Sequence, residues 1–291
     1  MGNLKEIRTR IASVNSTRQI TSAMKMVSAA KLRRAQDAIV KMRPYATKLH
    51  EILVNITSNL DSAEDNIYAQ QRNPEKVLIV VITSNKGLCG AFNANVVKQA
   101  VKTAENEYAN ELAAGNVWFY TLGKKAFDGL KGKNLNVING GNKIFEKLNF
   151  ETASEISTVF MQEFHEGKYD RIDIVYNQFK NAAVQILSYE QYLPVKIESG
   201  NTRIKHDFIF EPSKELIIHD IIPKSLKIHF YKALLDSHAA EHGARMTAMH
   251  KATDNAFEIL KELKLQYNKA RQATITNEII EIVGGAEALS G

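Results

Sequence analysis

Hydrophobic residues recur at alternating steps of three and four near both ends of the chain, whereas the middle alternates short apolar runs with amphipathic stretches. The N-terminal series lies in a stretch without glycine between Asn3 and Lys86 and without proline before Pro44. Such a heptad pattern is typical of a long helix that packs along a narrow seam. The seam positions are Leu4, Ile7, Ile11, Val14, Arg18, Thr21, Lys25, Ser28, Leu32, Ala35, Ile39 and Met42. We therefore predict a long N-terminal helix whose seam is small or polar in its centre.

A second heptad series near the C-terminus predicts another long helix. Only Gly243 interrupts the stretch between Pro223 and Gly284, and the Gly284-Gly285 pair predicts the helix stop. The seam positions are Met246, Met249, Thr253, Ala256, Leu260, Leu263, Tyr267, Ala270, Thr274 and Asn277. Two long helices with matching seams at the two ends of one chain predict an antiparallel coiled coil.

The middle of the chain has the pattern of an α/β domain. Apolar runs predict strands at residues 77–83, 117–123, 135–139, 171–179 and 182–194, and helices are predicted at 94–112, from 124 and at 152–165. This alternation predicts a mainly parallel sheet whose last two strands form an antiparallel hairpin.

The predicted fold class is α/β: a long antiparallel coiled coil of N- and C-terminal helices plus a central Rossmann-like α/β domain. We place the N-terminal helix in residues 1–73, the central domain in 74–211 and the C-terminal helix in 212–291. These limits lie close to Asn73-Pro74 and Glu211-Pro212.

Positive charge is concentrated in the first predicted helix. The whole chain has a net charge of +6, and its first 43 residues contain ten basic and two acidic side chains. Such a helix can attract nucleic acid, anionic lipid or an acidic protein surface. No aromatic residue lies among the basic ones before Tyr45, and the apolar face lacks the Trp and Phe of a membrane anchor. These features disfavour the nucleic-acid and lipid alternatives.

The loop after the first predicted strand, SNKGLCGAFN, contains Gly87 and Gly90 where a phosphate-binding loop would lie. It matches neither GxxxxGK[ST] nor GxGxxG. We interpret it as a strand-to-helix turn that needs glycine, and Cys89 as a small packed residue.

The sequence HAAEH places His238, Glu241 and His242 in the HxxEH pattern of inverted zinc peptidases. A catalytic zinc ion needs a third protein ligand, and no downstream signature marks one. We therefore favour a polar face on an exposed helix. No nucleophile or paired-carboxylate motif is present in the sequence, so we predict neither an active site nor a cofactor.

Three segments together resemble the γ subunits of F-type ATP synthases. They are LKEIRTRIASVNSTRQITSAMKMVSAAKLRRAQ, SNKGLCGAFN and ARMTAMHKATDNAFEILKELKLQYNKARQATITNEIIEIVGGAEAL, in the family's order. The resemblance implies a non-catalytic rotor whose paired helices turn inside a ring of α and β subunits, driven by a membrane c-ring. Small and polar seam residues would suit such a turning helix, and acidic surface on β would attract its basic residues.

The resemblance also implies which residues meet the partners. Met24 and Lys25 would face an acidic loop of β, supported by Arg245. Polar contacts with β would come from Gln272 and Thr276, joined by Arg271 and Glu278, although an ordinary solvated face is an equal alternative for the last two. Phe208 and Phe210 would approach the c-ring and the ε subunit.

The same resemblance implies one copy in each complex, with α, β, ε and the c-ring as partners and no nucleic acid. Asn85, Lys86, Ala91 and Ser28 depart from common family residues without touching this interpretation. The single cysteine disfavours thiol regulation. The start MGNLKEI favours a bacterial protein, peripheral on the cytoplasmic side of the inner membrane. A coiled-coil scaffold and a nucleic-acid-binding protein remain the alternatives.

Overall fold

The computed structural model contains two long helices, α1 (Leu4–Ser58) and α6 (Lys214–Ser290). The first precedes the α/β region along the chain and the second follows it. The structure describes residues 4–58, 68, 70–195 and 214–290. It divides into two compact units, one of residues 1–27 with 246–291 and one of residues 28–245. The domain limits drawn from the sequence stay predictions.

In the first unit, α1 and α6 run antiparallel. The Arg8 guanidinium donates a hydrogen bond to the Tyr267 hydroxyl at 3.1 Å, and the hydroxyls of Thr21 and Thr253 are bonded at 2.8 Å. Later residues of α1 therefore pair with earlier residues of α6. This confirms the predicted antiparallel coiled coil.

The two predicted seams are buried or half-buried, with two exceptions on α6. Thr274 and Asn277 are exposed, because Tyr267 already pairs with Arg8 and α1 begins only four residues before Arg8, at Leu4. The predicted stop at Gly284-Gly285 is also wrong, since α6 continues through both glycines to Ser290.

The second unit contains a five-stranded sheet in the order β3-β2-β1-β4-β5. Its strands are β1 (Val77–Ile82), β2 (Val117–Leu122), β3 (Asn136–Asn139), β4 (Arg171–Phe179) and β5 (Gln185–Leu193). The pairs that join the first four are parallel, and β5 is antiparallel to β4. The predicted mainly parallel sheet and its final hairpin are thus confirmed.

Four α-helices connect the strands: α2 (Phe92–Glu107), α3 (Ala109–Ala113), α4 (Lys124–Leu130) and α5 (Phe150–His165), with a short 3-10 helix at Lys143–Phe145. The single helix predicted at 94–112 is in fact two. Tyr108 leaves the helical conformation between them, with φ −131° and ψ 37°, and its buried hydroxyl bonds Asp173.

Strand β1 is buried on both faces because helices cover each side of the sheet. Leu78, Val80 and Ile82 pack with residues of α5 and α6, including Phe160 and Phe230. The alternate residues of β1 pack with Val96, Ala100 and Leu130 of α2 and α4.

Among the described residues, no helix has the length and apolar character to cross a membrane.

Phe160 is the aromatic centre of the α5 face. Its ring makes edge contacts with Tyr120 and Phe230, with centroids 5.0 and 5.6 Å apart, and it is fully buried. We expect Phe160→Ala to lower the free energy of unfolding by about 3–5 kcal/mol, since it removes apolar area and leaves a cavity. The measurement is urea denaturation followed by circular dichroism. The neighbouring Val159→Ala, at a side chain that is 49% exposed, should change it by no more than about 0.5 kcal/mol; equal losses would contradict this packing.

Candidate functional site

The order of the strands creates a switch point next to β1. The chain moves from β1 to β2 and β3 on one side and then returns to β4 on the other side of β1. Open α/β sheets usually bind ligands outside the carboxyl ends of the strands at such a point. In this chain the edge is formed by the β1–α2 loop, residues 83–91, and by the turn after β4.

Helix α6 packs against this edge. A Cβ atom added at Gly243 would lie 3.2 Å from the Ala182 Cα and 3.5 Å from the Phe179 ring, at the end of β4. Glycine therefore allows the helix backbone to approach the β4–β5 turn. Two residues later, Arg245 reaches the β1–α2 loop. The chain's own helix thus occupies the position in which a nucleotide would bind in related folds.

Arg245 joins α6 to the β1–α2 loop through its guanidinium group. It donates to the main-chain oxygen of Lys86 at 2.8 Å and of Gly87 at 3.2 Å. It also forms a 2.6 Å ion pair with Glu241, and both residues are buried. Burial raises the pKa of Glu241, and the positive charge of Arg245 opposes that rise. We name this set of contacts, among Arg245, Glu241, Lys86 and Gly87, the arginine clasp.

Two histidines extend the arginine clasp along α6. Arg245 Nη1 lies 3.3 Å from His242 Nδ1, and an arginine can only donate, so that nitrogen accepts. The His242 proton is then on Nε2, which faces the Nε2 of His238 at 3.2 Å. Both rings must be neutral to keep this chain of bonds. Burial lowers the pKa of His238 to about 4 and of His242 to about 3, and nearby Arg245 and Lys31 lower both further.

The interpretation of HAAEH as a polar face on an exposed helix is wrong. Glu241 and His242 are buried, and His238 is half-buried beside the ring of Phe145. The Glu241 carboxylate faces Arg245, and within the described ranges no three metal-binding side chains cluster. The small residues Ala239, Ala240 and Gly243 around these positions were the available signal of close packing.

The β1–α2 loop has the strand-to-helix geometry that its glycines predicted. Gly90 has φ +61°, and Leu88 adopts φ +62° without being glycine. Cys89 is only 1% exposed, which confirms it as a packed residue, and burial raises the pKa of its thiol. The side-chain nitrogen of Asn93 donates to the Cys89 sulfur at 3.2 Å, and the side-chain oxygen of Asn93 accepts a hydrogen bond from the Ser84 main-chain N–H.

A second buried polar cluster surrounds Asp173 of β4. Its carboxylate accepts hydrogen bonds from the Tyr108 hydroxyl, from the Tyr189 hydroxyl at 2.9 Å and from Arg171 Nε at 3.2 Å. Burial raises the pKa of Asp173, and burial next to this carboxyl raises the pKa of both tyrosines. These hydrogen bonds join Tyr108, at the junction of α2 and α3, to β4 and β5.

The residues predicted to contact the β subunit are distributed over both units. Met24 and Lys25 are half-buried on α1 in the first unit, while Arg245 belongs to the second. The remaining four are exposed on the last part of α6: Arg271, Gln272, Thr276 and Glu278. Phe208 and Phe210 lie outside the described residues. The structure gives Arg245 a role within the chain that the sequence did not indicate.

Arg245→Met tests the arginine clasp. It leaves Glu241 buried without its cation and two loop carbonyls without a donor, so we expect the free energy of unfolding to fall by about 3–5 kcal/mol. Adding Glu241→Leu should recover part of that loss, because no charge then stays buried alone. Urea denaturation of both variants measures the effect, with Lys251→Met at an exposed position of α6 as the control. A loss no larger than the control would contradict a supporting role.

The neutral histidine pair predicts a pH dependence of stability. The pKa values of both rings are lower in the folded chain than the ordinary value near 6.5, so the unfolded chain binds more protons below that pH. The free energy of unfolding should therefore be fully retained above about pH 6.5 and fall below it, down to about pH 4 for His238 and about pH 3 for His242, by up to about 1.4 kcal/mol per pH unit for each ring.

Urea denaturation at several pH values measures this slope. His238→Gln/His242→Gln should flatten it, whereas His165→Gln, at an exposed position of α5, should leave it unchanged. An unchanged slope in the double variant would exclude these rings as its source.

Comparison with known proteins assigns the family. The chain matches the family described as ATP synthase over residues 3–289. It is 57% identical to the ATP synthase gamma chain of Flavobacterium psychrophilum and 55% identical to that of Cytophaga hutchinsonii, over 100% of both chains in each case. The gamma chain of Chlorobium luteolum is 45% identical over 99% of both chains.

Solved structures have a similar fold. A chain of the Euglena gracilis mitochondrial ATP synthase, in an OSCP, F1 and c-ring structure, matches with a TM-score of 0.67 at 23% identity, covering 98% of this chain and 94% of that one. A chain of the Tetrahymena thermophila central stalk and c-ring matches with a TM-score of 0.56 at 26% identity, covering 80% and 99%. Because the family match and these identities extend along the whole length, the chain belongs to the ATP synthase gamma chain family.

Proposed function

We propose that this chain is the central-stalk rotor of an F-type ATP synthase. It couples ion flow through a membrane c-ring to conformational cycling of the catalytic β subunits, and it supplies no catalytic groups itself. The observation that carries this proposal is identity of 55–57% to ATP synthase gamma chains along the entire length. Its partners are the α and β subunits, ε and the c-ring, with one copy in each complex.

The last part of α6 has the surface that insertion into a ring of subunits requires. Every residue from 271 to 286 is exposed, because α1 begins opposite an earlier part of α6. Ile275, Ile279 and Ile282 lie at helical spacing, with 46%, 55% and 71% of their surfaces exposed. An unpartnered aliphatic stripe of this kind is typical of a protein-binding surface. A surrounding apolar sleeve formed by α and β would cover it.

The basic residues of α1 give the rotor a second contact surface. Lys25 is half-buried, Arg33 and Arg34 are exposed, and none of these three forms an ion pair with another described residue. Exposed ion pairs contribute only about 0.2–1 kcal/mol each, so contacts with acidic β surface would exchange easily during rotation.

We assign the contacts with β to the residues predicted from the family pattern. Met24 and Lys25 meet an acidic loop of β, and Gln272 and Thr276 provide polar contacts. Arg271 and Glu278 belong with these, and their exposure on α6 leaves them available. Phe208 and Phe210 face the c-ring and ε in this proposal.

The complex is membrane-associated, and this subunit is peripheral to the membrane. We place it on the cytoplasmic side of a bacterial inner membrane. The similar gamma chains of Cytophaga, Flavobacterium and Chlorobium species, all bacterial, support this placement.

The test is ATPase activity of α and β subunits from the same organism, assembled with and without this chain. Addition of the chain should give a stable complex with cooperative turnover. The variant Lys25→Glu/Arg33→Glu/Arg34→Glu should lower that turnover or the yield of complex by at least about tenfold, since three attractions become repulsions.

The control variant is Lys143→Glu/Lys147→Glu/Lys180→Glu, which makes the same change of charge at exposed positions of the second unit. It should retain the activity of the unmodified chain. If the unmodified chain neither co-assembles nor changes turnover, the rotor proposal is wrong. If only the charge reversal has no effect, the rotor stands and the basic surface is not its contact with β.

A further inference from the structure

A groove of about 470 Å³ lies between α2 and α4 on the outer side of the sheet. Gly129 of α4 faces Val97 of α2, and a Cβ atom at Gly129 would lie 3.3 Å from the Val97 Cγ1. The two helices therefore approach closely at a position without a side chain, and the space above it stays open.

The floor of the groove is aliphatic. Ala94, Val97 and Val101 of α2 line it at positions three and four residues apart, which lie on one face of a helix. Val97 is buried and Val101 half-buried, so both offer apolar surface at the base. A floor with this spacing fits the i, i+3/i+4 side chains of a second helix.

The rim of the groove is strongly basic. Four lysines line it, with a single carboxylate, Glu105. The lysines are Lys98, Lys102, Lys125 and Lys133. Lys125 reaches Asp128 at 3.7 Å, whereas the other three have no ion-pair partner in the described part of the chain. Four ammonium groups around an aliphatic floor leave a positive site that a partner's charge would complement.

We propose that this groove binds an acidic amphipathic helix of a protein partner. Leucine-type side chains of that helix would cover Val97 and Val101, and its flanking carboxylates would meet Lys98, Lys102 and Lys133. The lining contains no aromatic ring, so a nucleotide base would have nothing to stack on. The inference is independent of the rotor function, since it concerns a different surface of the second unit.

The test uses the full chain and a fluorescein-labelled peptide of about 15 residues, or about four helical turns, with leucine every third or fourth position and glutamate between. Fluorescence anisotropy should show saturable binding. The variant Lys98→Glu/Lys102→Glu should weaken it by at least about tenfold, equal to about 1.4 kcal/mol. The matched control is Lys143→Glu/Lys147→Glu, a second exposed lysine pair four residues apart that lies outside the groove, and it should stay within about twofold of the unmodified chain.

Two further probes separate groove binding from simple charge attraction. A peptide of identical composition with scrambled leucine positions should bind at least about tenfold more weakly, because it has no continuous apolar face. Equal binding of the scrambled peptide, or an equal loss in the control pair, would overturn the proposal. So would sodium pyrophosphate binding that depends on Lys98 and Lys102 in the absence of peptide binding, since the groove would then be a phosphate site. Circular dichroism checks that each variant is folded.

Discussion

The contact between Arg245 and the main-chain oxygens of Lys86 and Gly87 is the constraint on which the second unit depends. It fixes α6 to the loop at the carboxyl end of β1, the strand buried on both faces at the centre of the sheet. A buried guanidinium is tolerated there because Glu241 balances its charge and carbonyl groups accept its remaining protons. The close approach at Gly243 and the neutral His238–His242 pair both follow from the same placement of α6.

This arrangement explains why an α/β sheet can serve a mechanical purpose. The switch point beside β1 is where related folds bind small ligands, and α6 packs there instead. A helix bound to a sheet through buried, directional contacts resists sliding more than one bound through apolar contacts alone, because each displacement breaks several hydrogen bonds at once. Such a joint suits a chain that transmits torque between its helices and its α/β domain.

The exposed surfaces have separate physical origins. On α6, residues 271–286 are exposed because α1 begins opposite an earlier part of the helix, and their aliphatic stripe has nothing within the chain to cover it. Between α2 and α4, the groove is lined by Gly129, which provides no side chain opposite Val97. In the rotor proposal, the first surface lies within the ring of α and β subunits. The second lies on the α/β unit and is available to a different kind of partner.

The sequence by itself determined the elements, since heptad spacing, apolar runs and glycine-bounded turns are local signals. It predicted both long helices, the five strands and the final hairpin, and its family motifs were enough to indicate the rotor.

The sequence-based prediction failed where distant parts of the chain meet. HAAEH was interpreted as solvent-facing, because a local pattern cannot show that this part of α6 packs on the β1–α2 loop, where Arg245 donates to the main-chain oxygens of Lys86 and Gly87. The exposure of Thr274 and Asn277 depended on where the partner helix begins, and the α2–α4 groove on one glycine opposite a valine from another helix. Only the tertiary structure decided these features, because burial and pairing are set by neighbours that the sequence separates by tens to hundreds of residues.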